Sequence, residues 1–222
     1  MTSAVSGRLA VFDCDGTLVD GQASICEAME AAFAEAGLPT PDRHAVRRIV
    51  GLSLPQAVRR LAPDCAADVE ALAVDAYKRS YRTAREQGRI AEPLFAGIAP
   101  LIERLHGAGW LLGVATGKSD RGLTHCLATH GLTHRFVTLQ TADRHPSKPH
   151  PSMMEAALAD TLADPAQTVM IGDTAFDMAL AINSGVRGIG VAWGYHEAEE
   201  LLAAGAEWVA ETPDQLGEYL LS

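Results

Sequence analysis

Short apolar runs recur along the chain, each closed by glycine or polar residues: 8–12 before Asp13, 111–115 before Thr116 and Gly117, 136–139 before Thr141, 169–171 before Gly172 and Asp173, and 188–192 before Trp193 and Gly194. Runs of this length bounded by turn-forming residues predict buried strands that feed loops at their C-terminal ends. Helical periodicities lie between them at 98–108, 121–130, 152–162, 175–184 and 197–204. A short strand at 207–210 and a helix from Pro213 complete the series. Strands alternating with helices imply right-handed crossovers and a parallel sheet covered on both faces. The expected class is α/β, with an open Rossmann-like sheet.

Between Asp20 and Glu92 the pattern is helical almost throughout, with helices near 23–36, 42–50, 55–61 and 67–87. Gly37 followed by Pro39 closes the first, as glycine at a helix C-terminus and proline beyond it would. Residues 1–20 and 88–222 are therefore expected to form the core domain, and 21–87 an inserted α-helical cap above the C-terminal end of the first strand.

Composition limits the partners. The 222 residues carry 18 basic and 28 acidic side chains, a net charge of -10. That balance repels phosphate backbones and anionic membranes, so neither a nucleic acid nor a membrane is expected as partner, and attraction for an anion must be local. The cysteines, Cys14, Cys26, Cys65 and Cys126, lack metal-site spacing. The first apolar run stops at Asp13, too short for a signal peptide, and no stretch reaches the ~18 apolar residues that span a bilayer. A cytoplasmic protein with reduced thiols is expected, as monomer or homodimer.

In an open α/β sheet, ligands sit outside the carboxyl ends of the strands, so the polar residues there are the ones to collect. They are Asp13 to Thr17, then Thr116 to Lys118, Lys148 and Pro149, and Gly172 to Asp177. One carboxylate of the Asp13 and Asp15 pair can attack phosphorus while the other handles a proton, since Gly16 lets the chain turn after them. Mg²⁺ would be held by oxygens and cancel repulsion between Asp13 and a phosphate, with Asp173 as a further ligand. Lys148 and Thr116 would neutralise and orient the phosphate oxygens.

These residues carry a resemblance. With DCDGTLVD at 13–20, VATGK at 114–118, SKPHP at 147–151 and GDTAFDM at 172–178, the chain looks like a haloacid-dehalogenase-superfamily phosphatase and is similar to the phosphoglycolate-phosphatase group. The match spans essentially the whole length. It implies Asp13 as nucleophile and metal ligand, and Asp15 as general acid/base whose carbonyl also ligates the metal. Thr116 and the Gly117 amide would bind phosphate, Lys148 would bridge phosphate and Asp13, Asp173 would ligate Mg²⁺, and Asp177 would support the metal's surroundings. True dehalogenases lack the aspartate that Asp15 supplies here, which favours phosphate esters.

The implied reaction is Mg²⁺-dependent hydrolysis of a small phosphorylated metabolite through an aspartyl-phosphate, with 2-phosphoglycolate the leading candidate. A phosphomutase of the β-phosphoglucomutase type and a non-catalytic phosphate-binding protein are the alternatives. The cap turn from Gly51 to Ser53, with Arg47 or Arg48 as partner for a carboxylate, is the expected specificity element. GVATGKS at 113–119 encloses three residues between its glycines where a P-loop needs four, so no NTPase is implied. Gly131 should break the helix between His130 and His134, which argues against a zinc pair. Cys14 should turn away from the aspartates and pack as a buried thiol.

Overall fold

The computed structural model describes residues 7–222. Residues 1–6 of the N-terminal stretch read above lie outside the described residues. The first strand, β1 (Leu9–Phe12), is wholly buried, and its side chains alternate between two apolar layers. Ala10 and Phe12 enter one layer, Leu9 and Val11 the other. This period of two, apolar on both sides, is what a central strand of a covered parallel sheet requires. Around it stand β2 (Leu111–Thr116), β3 (Thr138–Thr141), β4 (Thr168–Gly172), β5 (Arg187–Val191) and β6 (Trp208–Ala210), in spatial order β3-β2-β1-β4-β5-β6. All pairings are parallel.

One layer receives α5 (Ile98–Gly107), α6 (Asp120–Thr129) and α10 (Pro213–Leu221). The opposite layer receives α7 (Ser152–Thr161) and α8 (Ala175–Asn183), while α9 (Ala198–Ala203) packs through Leu201 against Met178. The chain winds from β1 to one side through β2 and β3, then returns to the other through β4, β5 and β6. That reversal opens a crevice at the carboxyl ends of β1 and β4.

The third strand departs from the hydrophobic pattern, which placed it at 136–139. Phe136 packs edge-on against Phe12, but the ladder to β2 begins at Thr138. The side chains of Thr138 and Gln140 are buried and both donate to Asp160 of α7, at 2.7 and 2.8 Å. Buried polar groups are tolerated when so satisfied, and a strand built on them leaves no apolar signal.

Between β1 and α5 the chain forms α1 (Gln22–Glu35), α2 (Arg43–Arg48), α3 (Leu54–Leu61) and α4 (Ala67–Glu86), which share an apolar cluster of their own around Met29, Phe33, Val46 and Val58. Gly37 ends α1 with φ of 68°. The segments entering and leaving this helical layer run side by side: the Asp20 amide donates to Pro93 O at 2.9 Å and the Phe95 amide to Leu18 O at 3.0 Å. Among the described residues no helix is long and apolar enough to cross a membrane.

Candidate active site

β1 ends at Phe12, and Asp13 enters the crevice as a fully buried carboxylate. Its Oδ1 lies 3.0 Å from Lys148 Nζ and accepts the Cys14 amide at 2.6 Å. Its Oδ2 is buried with no hydrogen-bond partner among the described residues. Burial pushes the Asp13 carboxyl up to about 7, against the pull of Lys148 and with the help of the Asp177 charge.

β4 delivers Asp173, also fully buried, whose Oδ1 accepts from the Thr17 hydroxyl at 2.8 Å and whose Oδ2 accepts from the Tyr195 amide at 3.0 Å. Burial, then the charges of Asp177 and Asp13, hold it well above the usual carboxylate range. Gly16, with φ of +84°, lets the β1 loop approach that closely: a Cβ there would lie 2.1 Å from Asp173 Oδ2. Asp177 stands in the first turn of α8 and closes a capping box with Thr174, accepting its amide at 3.1 Å and its hydroxyl at 2.8 Å on Oδ2. Its other oxygen takes the Lys148 ammonium at 2.6 Å. Lys148 is thus clamped between two carboxylates, which hold its charge above the ordinary lysine value although burial opposes it.

Asp13, Asp173 and Asp177 bring carboxylate oxygens within 4.8 Å of one another, all buried. An all-oxygen, anionic set whose Asp13 Oδ2 lacks a partner fits a hard divalent cation such as Mg²⁺. Asp15, two residues along the chain, is not part of that triad. Its Oδ1 sits 3.0 Å from Lys118 Nζ, and burial raises its pKa in spite of that cation.

Thr116 ends β2 and Gly117 follows it against the helical layer: a Cβ on Gly117 would lie 2.4 Å from Leu52 O and 2.9 Å from Gly51 O. The turn at 51–53 therefore rests directly on the strand ends. Gly51, with φ of +96°, faces Asp13 Oδ2 and Thr174, and the Ser53 amide donates to Ser147 Oγ at 2.8 Å. Gly51 and Ser53 both line a cavity of about 460 Å³ between the helical layer and the strand ends, together with Asp15, Gly117 and Lys118.

Arg48 is placed elsewhere. It makes a bidentate pair with Glu200 at 2.5 and 2.6 Å, and its carbonyl accepts from His196 Nε2 at 3.1 Å, so it ties the helical layer to the β5 side of the sheet. Among the described residues that line the cavity it is absent. Cys14 packs in the apolar layer beside Cys126, with sulfurs 3.9 Å apart. Gly131 has φ of 68° and ends α6, while His130 bonds to Glu92 O at 2.8 Å.

Sequence reasoning assigned no role to Lys118, Glu92 and Tyr81. Lys118 pairs with both Asp15 and Glu92, and the Tyr81 hydroxyl donates to Glu92 at 2.6 Å. This chain links the β2 loop, the returning linker and α4 beside Asp15. The lysine stands within the strand-end motif; Glu92 carries no local signal, because only the folded linker brings it there.

The profile described as "Haloacid dehalogenase-like hydrolase" matches residues 10–191, from β1 through β5, most of the chain. The chain belongs to that family. It is 37% identical to "Probable phosphatase IndB" of Dickeya dadantii, over 92% of this chain and 89% of that protein. It is 26% identical to a phosphoglycolate phosphatase of Vibrio parahaemolyticus, over 96% of both. A 30% identical relative in Mycobacterium tuberculosis, matched over 97% of this chain and 73% of its own, is named a tyrosine-protein kinase. The crystal structure of a predicted phosphatase from Clostridium acetobutylicum superposes with a TM-score of 0.86, covering 98% of this chain and 99% of that one at 24% identity, which speaks for the fold. A family member with these relatives is a phosphatase enzyme.

Proposed function

We propose that this phosphatase hydrolyses a small phosphomonoester through an aspartyl-phosphate on Asp13, with Mg²⁺ as cofactor. The observation that carries the reading is the state of the Asp13 carboxylate: one oxygen is fixed by Lys148, and the other is buried and unpartnered with Gly51 facing it. Asp13 and Asp173 would hold Mg²⁺, with the Asp15 carbonyl as a further donor and Asp177 steadying Lys148. The ion would supply charge neutralisation between the nucleophile and the incoming phosphate.

In the first half-reaction an Asp13 oxygen bonds to phosphorus, and the bond from phosphorus to the leaving oxygen breaks. Asp15, in its protonated form, gives that oxygen its proton. In the second, Asp15 takes a proton from water, whose oxygen bonds to phosphorus as the Asp13–phosphorus bond breaks, releasing phosphate. Lys148, the Thr116 hydroxyl and the Gly117 amide hold the phosphoryl oxygens as charge develops on them.

2-Phosphoglycolate is the first compound to assay, because a relative's name supplies it. Phosphate release from it and from p-nitrophenyl phosphate, with Mg²⁺ and after EDTA treatment, tests the reading. Acid-quenched wild type should carry a phosphorylated Asp13 peptide in mass spectrometry, and Asp13→Asn should neither carry it nor release phosphate. Turnover by Asp13→Asn, once deamidation is excluded, would refute the nucleophile.

A further inference from the structure

The cavity beside Asp15 has a composition that the phosphate-handling residues do not explain. Its inner wall is apolar and aromatic, formed by Ile25, Met29, Ile49, Leu52 and the Tyr77 and Tyr81 rings, which stack at 5.6 Å and 19°. Its outer edge is cationic. Lys78, Arg82 and Arg85 stand at i, i+4 and i+7 on α4, one face of the helix, and Arg121 of α6 faces the same space. Asp143, a carboxylate that also lines it, is engaged by the Asp120 amide at 2.8 Å.

Three of those cations have no ion pair among the described residues. Elsewhere on the helical layer Arg43, Arg48, Arg59 and Arg79 pair with glutamates, whereas Lys78, Arg82 and Arg85, like Arg47 and Arg60, meet no carboxylate within pairing distance among the described residues. Arg85 is the most constrained of them. Its guanidinium lies 5.4 Å from the Tyr81 ring, and its Nε is buried without a hydrogen-bond partner. A buried guanidinium nitrogen without a partner is costly, and the side chain that carries it lines the cavity an anion would enter.

The size of the space sets the length of the ligand. Glycolate, the leaving group of 2-phosphoglycolate, has about five non-hydrogen atoms, which would fill only about a third of 460 Å³ even at the ~30 Å³ that a water occupies in the liquid. It would leave most of the space beside the apolar wall and the cationic edge unfilled.

We propose that the substrate is a phosphomonoester whose leaving group has an apolar body packed against Tyr77 and Tyr81 and carries a second anionic group, and that Arg85 reads that anion. The proposal rests on the phosphatase reading of the strand ends. It assigns specificity to α4 and not to Arg48.

The test compares 4-carboxyphenyl phosphate with its neutral isostere 4-carbamoylphenyl phosphate, and both with 2-phosphoglycolate, by kcat/KM for phosphate release in Mg²⁺. Wild type should prefer the carboxylate over the amide by about 10- to 100-fold, the range of a hydrogen bond to a charged group, and should turn it over faster than 2-phosphoglycolate. Arg85→Ala should erase the preference for the carboxylate, and Arg85→Lys should restore part of it, keeping the charge but not the fork. Arg79→Ala, a cation removed from α4 outside the cavity, should leave the preference in place and so exclude a net-charge effect. Equal turnover of carboxylate and amide by wild type, or a preference intact in Arg85→Ala, would overturn the proposal and leave the phosphatase reading standing. A higher kcat/KM for 2-phosphoglycolate would overturn the extended leaving group. Absence of hydrolysis of all three esters would overturn both readings together.

Discussion

Asp173→Asn should raise the melting temperature of the metal-free protein while removing its response to Mg²⁺. Asp173 lies fully buried with the carboxylates of Asp13 and Asp177 within 4.8 Å. At that separation and an effective dielectric near 20, each like-charge pair costs about 3.5 kcal/mol. Asparagine removes this repulsion and keeps one oxygen for the Thr17 hydroxyl, but turns an amide against the Tyr195 N–H, a loss of about 1–3 kcal/mol. Where all three carboxylates are ionised the net gain is a few kcal/mol, roughly 2–4 °C for each in a chain of this size, and it fades as they protonate.

The gain should depend on pH. Asp13 and Asp173 have folded pKa values raised above their unfolded ones, Asp13 to about 7. Their favourable contribution is complete below about pH 4 and is lost as pH rises through the folded values. Wild type should therefore lose stability between about pH 4 and pH 7 and above, and Asp173→Asn should lose less. Differential scanning fluorimetry of EDTA-stripped protein across that range, repeated with Mg²⁺, reads both effects. The reasoning fails if Asp173→Asn melts lower than wild type at every pH without metal, or if Mg²⁺ stabilises the two equally.

Asp15→Asn should slow hydrolysis of alkyl phosphates by about 10²–10⁴-fold, as loss of a general acid does, and slow p-nitrophenyl phosphate less, since nitrophenolate leaves without a proton. A loss independent of the leaving group in kcat/KM would count against that role. Gly117→Ala should cut kcat/KM about tenfold or more, because a Cβ placed 2.4 Å from Leu52 O lifts the 51–53 turn off the strand ends. Unchanged kinetics would show that turnover does not need this contact.

Much of the fold was legible because its central strands are apolar on both faces and end in Asp and Gly. β1, β2, β4 and β5 fall within two residues of the expected runs, and the helices between them follow from periodicity. β3 was displaced because its buried positions are Thr138 and Gln140, satisfied by Asp160 across twenty or so residues of chain. No local pattern of hydrophobicity records a hydrogen bond made to a later helix.

The strand-end residues were legible for a similar reason: each lies at a position the sheet fixes, so order along the chain becomes proximity in the crevice. The helical layer has no such rule. Arg48 stood next to the Gly51 turn in sequence, yet α2 aims it at Glu200, while Arg85, more than thirty residues further on, reaches the cavity. Its signal was nonetheless present as spacing. Tyr77 and Tyr81 at i, i+4, interleaved with Lys78, Arg82 and Arg85, make one face of α4 both aromatic and cationic. Arg59 and Arg79 of the same layer are paired with glutamates, and these three cations are not. Unpaired cations beside an aromatic wall suit the anionic leaving group proposed above, and a ligand that ended at Ser53 would leave them without a partner.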